Sequence, residues 1–276
     1  MERHRVDVWQ YPDMLVERYL CAPGPIEGVA RHAHEEYQFC LSVDVACVYD
    51  YRGARHVVPR GGMSIIHPGE LHATSDAEPR LPGATYHMLY LDPAVLQKIA
   101  TELRGQPASQ PYFPTPVINN QYFLDLFRTL YEALEGDADQ LEQDVLYYTA
   151  LSQLVAQYAQ DRVSASPLIS ARPAVLRARD FLHDNPLHNV SLEELARVAG
   201  LSAFRLCHAF QHEIGLPPHE YHLQVRIMQA KVFIARGLPL AQVAEQTGFY
   251  DQSRFGRYFK RYVGTTPGYY ARNCKK

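Results

Sequence analysis

Two sets of side chains in this 276-residue chain have types and spacings that could do chemistry. The first is rich in histidine: His32 and His34 are separated by one residue, Gln38 follows, and Glu70 and His72 come later. Imidazoles at alternate positions of a strand point to the same side, as a shared ligand or metal requires. Three readings are open for these residues. They form a metal-free pocket in which His32, His34, Gln38, Glu70 and His72 hydrogen-bond a small molecule; they are structural histidines at the mouth of a barrel; or His32, His34 and His72 hold a zinc or similar divalent ion. The second set is cationic. Arg254, Arg257 and Arg261 recur at three- and four-residue steps. On a helix that spacing gathers them on one side, where they suit phosphate and base-edge recognition.

The elements that must position the first set are strands. From residue 6 to about residue 92, short β-branched and aromatic runs such as YQFCLSV and TYHMLYL are broken by Gly and Pro, which predicts an antiparallel sheet or barrel within residues 1–105. A Pro-rich passage at 105–116 ends this rhythm, and the period changes. In residues 120–134, Phe123, Phe127, Leu130, Tyr131 and Leu134 recur at helical spacing; in residues 140–159, Leu141, Val145, Tyr148, Leu151, Val155 and Tyr158 do the same. The pair predicts an antiparallel helical hairpin that either covers the sheet or forms a dimer interface. With a polar linker at 161–167, it occupies residues 106–167.

Composition narrows the function classes. With 47% apolar and 21% charged residues the chain is an ordinary soluble protein, long enough for two cores. Five cysteines in odd number, with no CxxC pair, suggest neither a disulfide framework nor a cysteine zinc site and fit a reducing cytoplasm. The start MERHRVDVWQYPDM lacks the apolar run of a signal peptide, and no stretch approaches the roughly 18 to 20 apolar residues of a membrane helix, so no membrane partner is expected. The net charge of -3 hides an asymmetry. Residues 1–167 hold 12 basic against 22 acidic side chains, whereas residues 168–276 hold 15 against 8. Only the second part could hold a polyanion.

That basic part contains two copies of one pattern. SLEELARVAGLS, followed by AFRLCHAFQHEIGLPPHEY, is matched by PLAQVAEQTGFY, followed by DQSRFGRYFKRYVGTTPGYY. Leu195 and Ala196 correspond to Val243 and Ala244, and Gly200 to Gly248. One residue further out of step, Leu206, Phe210, Gly215 and Pro218 correspond to Phe255, Phe259, Gly264 and Pro267. Each copy reads as a short helix, a turn with glycine and a second helix, the arrangement that lays the second helix in a major groove. Ser191 and Glu194 form a capping-box signature, and Gly200 and Gly248 supply the turn's backbone freedom. In the first copy Leu206, Phe210 and Ile214 should pack inward, leaving Phe204, Arg205, His208 and His212 outward. Between the copies, Tyr221, Val225, Met228, Val232 and Ala235 mark the apolar stripe of a connecting helix ending at Gly237.

These repeats resemble the DNA-binding domain of the AraC/XylS family of transcription regulators over residues 170–276, and VAEQTGFYDQSRFGRYFKRYVGTTPGYY is similar to the family's signature segment. The resemblance implies contacts to double-stranded promoter DNA from Ala203, Phe204, Arg205 and His208 in the first copy. In the second it implies them from Asp251, Gln252, Ser253, Arg254 and Arg257. His208 stands where the family usually has an arginine. The resemblance also implies RNA polymerase as a partner, a homodimer, and activation as the mode of control.

In the amino-terminal part, RHAHEEYQF at 31–39 and GGMSIIHPGELH at 61–72 resemble the two motifs of the cupin barrel. Cupin enzymes take metal ligands from a histidine pair, a carboxylate and a distant histidine. His32, His34 and His72 fit three of those places, while Gln38 fills the carboxylate place, and an amide is a poorer ligand. The expected fold is therefore α+β in two domains: a cupin-like antiparallel barrel with a helical hairpin, then an all-α double helix-turn-helix at 168–276. The expected function is a cytoplasmic, effector-controlled transcription regulator with no enzymatic activity and no required cofactor. The alternatives are a cupin-type metal-binding enzyme or metal sensor with an appended DNA-binding domain, and an architectural protein that binds DNA without sequence preference.

Overall fold

The computed structural model describes residues 4–81, 83–160 and 171–273. It divides into two compact units: a sheet unit of residues 1–136 and 149–167, and a helical unit of residues 137–148 and 168–276. The polar linker expected at 161–167 lies outside the described residues. The sheet unit runs β1 (His4–Tyr11), β2 (Met14–Cys21), β3 (Gly28–His32), β4 (Tyr37–Ser42), β5 (Cys47–Tyr51), β6 (Ala54–Val58), β7 (Met63–Ile66), β8 (His72–Asp76) and β9 (Ala84–Leu91). Helix α1 (Pro93–Arg104), the short β10 (Val117–Ile118) and α2 (Gln121–Glu135) follow. Among the described residues the strands pair antiparallel in two sheets, ordered β1-β2-β9-β4-β7-β10 and β3-β8-β5-β6, as the alternating pattern requires.

Strand β4 shows how sequence sets the layers. Its six residues are all buried, because the two faces of a central strand both meet cover. Phe39 packs against Phe127 of α2, with ring centroids 6.1 Å apart, and the Tyr131 hydroxyl donates to the Phe39 carbonyl at 3.3 Å. Gln38 and Cys40, on the opposite face, line a cavity. Helix α2 starts where Asn120 accepts from the Phe123 amide, and it buries Phe123, Leu124, Phe127, Leu130, Tyr131 and Leu134. Each such side chain contributes about 1.5–3 kcal/mol when fully removed from water. At the end of α2, Glu135 accepts from Arg18 at 2.8 Å and meets His87 at 2.5 Å, which ties the helix to β2 and β9. The stripe of α2 is therefore cover for the sheet.

Helix α3 (Gln140–Tyr158) departs from the expected hairpin. Its second half belongs to the sheet unit, where Tyr158 meets Phe123 at 4.9 Å. Its first half belongs to the helical unit, and Leu141 and Val145 sit in that unit's core. A helix of this length spans roughly 28 Å, so one continuous apolar stripe can serve two cores. Periodicity reports the stripe and not the partner.

The helical unit continues with α4 (Arg172–Asp184), α5 (Leu192–Ala199), α6 (Ala203–Ile214), α7 (Pro218–Ala235), α8 (Leu240–Gln246), α9 (Gln252–Val263) and α10 (Pro267–Asn273). One core gathers Val175, Leu182, Leu192, Leu195, Leu206 and Phe210; the other gathers Ile227, Ile234, Val243, Phe255 and Phe259. Each copy of the repeat thus has its own core. The caps fall where the sequence marks them. The Ser191 hydroxyl accepts from the Glu194 amide at 3.2 Å, and Gly200 and Gly248 take φ values of 70° and 72°. The Glu194 carboxylate faces His188 at 3.2 Å, so this end is closed by a histidine as well as by the capping serine.

The connecting helix α7 corrects the expected stripe. Met228, Val232 and Ala235 are exposed, and the packed face is Leu223, Ile227, Ala230 and Ile234 together with His219, His222 and Arg226. Counting only apolar residues selects the wrong face because three of the packed side chains are polar. Arg226, 3% exposed, donates to the carbonyls of Pro186 (2.8 Å) and His188 (3.2 Å) and to Asp139 (3.1 Å). A Cβ on Gly248 would lie 3.3 Å from its Nε, so that turn must be glycine for space as well as for φ.

Removing Arg226 strands these three acceptors. Arg226→Ala should lower stability by about 3 kcal/mol or more in urea unfolding, and a change under about 1 kcal/mol would show the network to be idle. Buried histidines give a pH signature. Burial, reinforced by Arg52 and Arg226 respectively, lowers His67 and His222 to about 4. Both rings are neutral in the fold and protonate in the unfolded chain near the ordinary histidine value. Their stabilisation is complete above about pH 6.5 and fades toward pH 4, with about 2 kcal/mol per histidine lost by pH 5. Melting His222→Gln beside the parent at pH 7.5 and 5.0 should show a smaller pH dependence in the variant.

Candidate effector cavity and DNA interface

A cavity of about 570 Å³ opens between the two sheets of the sheet unit. Alternation along each strand aims Tyr19 and Cys21 of β2, Gln38 and Cys40 of β4, and Tyr86, Met88 and Tyr90 of β9 into it. Cys47 and Tyr49 of β5 and Thr74 and Asp76 of β8 close the other side. Four tyrosines, Tyr19, Tyr49, Tyr86 and Tyr90, line the cavity. Tyr37 and Tyr51 do not: the Tyr37 hydroxyl donates to the Pro111 carbonyl at 2.6 Å, and the Tyr51 hydroxyl lies 3.0 Å from His67.

The charged end of the cavity was invisible to sequence motifs. Arg80, nearly fully buried, pairs with Glu27 at 2.7 Å and lies 3.6 Å from Asp76. Asp76 also accepts from the Tyr86 hydroxyl at 2.6 Å and from the Glu27 amide at 2.9 Å. The lining thus sets two carboxylates against one guanidinium. The available signal was the alternation that puts Tyr86 on the same face as Met88 and Tyr90.

The histidine set is only partly in the cavity. Antiparallel pairing of β3 and β8 puts His32 opposite His72, with ring centroids 4.3 Å apart; His34 lies 5.1 Å from His72 and 6.1 Å from His32. His32 and Gln38 line the cavity. His32 Nδ1 faces the Ala30 carbonyl and His72 Nδ1 the Glu70 carbonyl, at 2.9 and 3.0 Å. Carbonyls only accept, so in the neutral rings the proton sits on Nδ1 and Nε2 carries the lone pair. His72 Nε2 is buried without a hydrogen-bond partner, and burial lowers the pKa of that ring. His34 is held at both nitrogens, by the Glu36 carbonyl at 2.9 Å and the Gln38 amide at 2.8 Å. Among the described residues no group of three His, Cys, Asp or Glu side chains is arranged to hold a metal ion. Glu70 needs correction. Its carboxylate takes two bonds from Arg52, at 2.7 and 3.1 Å, in a separate cluster with Tyr51 and His67, so it is spent outside the cavity.

In the helical unit the second helix of each repeat, α6 and α9, carries the expected DNA residues. On α6, Arg205, His208 and His212 are exposed, but Ala203 and Phe204 are buried, against the expectation that both face DNA. Phe204 lies three residues before the buried Cys207 and joins its stripe; its ring centroid is 4.4 Å from that of His208. Desolvation by this packing lowers the His208 pKa. The exposed edge of His208 is therefore a neutral hydrogen-bonding group rather than a cation. On α9, Gln252, Ser253 and Arg257 are exposed. Asp251 is the N-cap, its carboxylate accepting from the Arg254 amide at 2.6 Å, just as Ser202 caps α6. Arg254 is the second correction. It is 6% exposed, and its guanidinium donates to Glu142 at 2.9 Å and lies over the Tyr258 ring. Helical spacing along α9 could not see a carboxylate supplied from α3.

Comparison with known proteins finds a separate family for each part of the chain. Residues 17–151 match the AraC-like ligand binding domain family, and residues 195–273 match the Helix-turn-helix domain family. The chain is 27% identical over 273 residues to the arabinose operon regulatory protein of Escherichia coli, covering 96% of this chain and 86% of that one. It is 24% identical over 242 residues to the HTH-type transcriptional regulator YbfI of Bacillus subtilis, covering 88% and 86%. Among solved structures, an AraC-type DNA-binding regulator from Chromobacterium violaceum aligns with 20% identity and a TM-score of 0.37 over 38% of this chain and 96% of that one. With a ligand-binding unit of paired sheets and two helix-turn-helix copies behind it, the chain belongs to the AraC family of transcription regulators.

Proposed function

We propose that this regulator is an activator that reads specific promoter sites as a homodimer in the cytoplasm, touches RNA polymerase there, and answers to a small effector held in the cavity between its sheets. The observation that carries the effector reading is the cavity itself, whose volume suits a metabolite and whose lining is mainly apolar with a few convergent polar groups. The chemistry of those groups narrows the effector. Arg80 is bracketed by Glu27 and Asp76, with its buried Nε lacking a hydrogen-bond partner, and His32 presents a lone pair, so the lining offers more acceptors than donors and net negative charge. An effector with hydroxyl or amino donors on an apolar or ring-shaped body fits, and a carboxylic acid does not. In this reading the protein needs no cofactor. A metal-sensing alternative has one observation in its favour, the unpartnered buried Nε2 of His72 beside His32. A stoichiometric metal in purified protein, lost in His72→Ala, would favour that alternative.

Thermal melts with matched alcohol, amine and carboxylate forms of small ring compounds test the effector class, because a ligand of the folded state must raise the melting temperature. Stabilisation by alcohols or amines and not by acids is expected; preferential stabilisation by acids defeats the proposal. For DNA, Arg257→Ala and Arg205→Ala should each weaken binding to selected genomic fragments by roughly 10-fold and flatten the salt dependence of affinity. Fluorescence anisotropy across a salt series gives both quantities. Unchanged affinity and slope in both variants would remove these residues from the interface.

A further inference from the structure

We propose that the acidic start of α3 competes with DNA inside the molecule, with Glu142 holding Arg254 in the place a DNA phosphate would take. The proposal rests on the DNA-binding function of the helical unit. Residues 137–148 carry Asp137, Asp139, Glu142 and Asp144 and no Lys or Arg, yet they belong to the unit whose remaining residues are strongly basic. Three of these carboxylates are engaged. Asp139 accepts from Arg226 at 3.1 Å, Asp144 accepts from the Leu192 amide at the start of α5 at 2.8 Å, and Glu142 accepts from Arg254 at 2.9 Å. The Tyr258 hydroxyl, one turn along α9, reaches both oxygens of Glu142 at 3.2 Å.

Arg254 and Tyr258 thus form a cradle for an oxyanion, a guanidinium and a hydroxyl converging from one face of a helix, and a carboxylate fills it. A phosphate makes the same charge-assisted bonds, so the two anions exclude each other at one buried guanidinium. Gln252, Ser253 and Arg257 on the same helix stay exposed. The helix is left half armed, able to meet DNA but short of one cation. The other engaged contacts hold the acidic segment in place without touching exposed α9 residues, and Leu141 and Val145 anchor it in the core. Helix α3 continues without a break into residues of the sheet unit, so whatever loosens its first half frees Arg254.

The test compares the full chain with Glu142→Gln and Glu142→Gln/Arg254→Met on a labelled duplex of about 40 base pairs and arbitrary sequence, by anisotropy across a salt series. Releasing one cation should tighten binding on the order of 10-fold and steepen the log–log salt slope by about 0.9, and the double variant should lose both gains. Unchanged or weaker binding by Glu142→Gln overturns the proposal, as does a gain that survives in the double variant. The double variant leaves no charge of this pair buried, so it stays foldable even if Arg254→Met alone does not. Arg257→Ala, which lies outside the cradle, should weaken the parent and Glu142→Gln alike. If it weakens neither, the DNA role of α9 fails, a result distinct from failure of the competition.

Discussion

The guanidinium of Arg226 is the point on which the helical unit depends. Its three acceptors come from the loop between α4 and α5, through Pro186 and His188, and from Asp139 ahead of α3, while a Cβ at Gly248 in the turn of the second repeat would lie 3.3 Å from its Nε. One side chain on the connecting helix therefore fixes both helix-turn-helix copies and the acidic segment. The need for such a hub follows from size. Helices α5 and α8 have eight and seven residues, too short to hold a fold by their own propensity, and each repeat buries only a small core. A planar cation with five donors can satisfy several carbonyls and a carboxylate at once, which an aliphatic residue at this position could not. Burial, reinforced by the Arg226 charge on the same face of α7, drives the pKa of His222 down and keeps its ring neutral beside the guanidinium.

In the sheet unit the governing constraint is different. Strands β4 and β9 are covered on one face by α2 and face the second sheet on the other, so alternate residues are committed either to a packed layer or to the cavity. The packed layer uses Phe39, Leu89 and Leu91, all fully buried, and the cavity layer uses Gln38, Tyr86, Met88 and Tyr90. A central strand with polar and aromatic residues on one face and close-packed apolar residues on the other leaves space where the polar face looks. The cavity is thus a consequence of the same alternation that stabilises the sheet. Its charged end is held by the Arg80–Glu27 ion pair and by the bonds Asp76 accepts from Tyr86 and the Glu27 amide, while Arg80 Nε, 3.6 Å from Asp76, is buried without a hydrogen-bond partner.

What could be read from the sequence was whatever is local. The repeat, its glycines, the Ser191 cap, the antiparallel strand pattern and the burying stripe of α2 each depend on residues a few positions apart, and each is where the periodicity puts it. What could not be read was whatever a distant element supplies. Arg254 looked like part of a solvent-facing basic stripe because its partner Glu142 is more than a hundred positions away, and Glu70 looked like a pocket acid because nothing local reveals Arg52 as its partner. The division of α3 between two cores is of the same kind. Polar residues inside a helix, as on α7, defeat a count of apolar ones for a related reason: the burial of Arg226 is decided by acceptors on distant elements.

The two recognition helices are unequal in a way that bears on control. Helix α6 offers Arg205 and a His208 whose pKa is lowered by burial, so its proposed contribution to DNA binding would be weighted toward hydrogen bonding, which releases few counterions. Helix α9 offers Arg257 and exposed Lys260 and holds Arg254 in reserve. Under the proposed interface, affinity and its salt dependence would be concentrated in the second copy, the copy on which the carboxylate of Glu142 acts. A competitor placed on α6 would change little, because there is less cationic character to withhold. Placed on α9, a single ion pair would govern a large share of the electrostatic attraction proposed for the second copy.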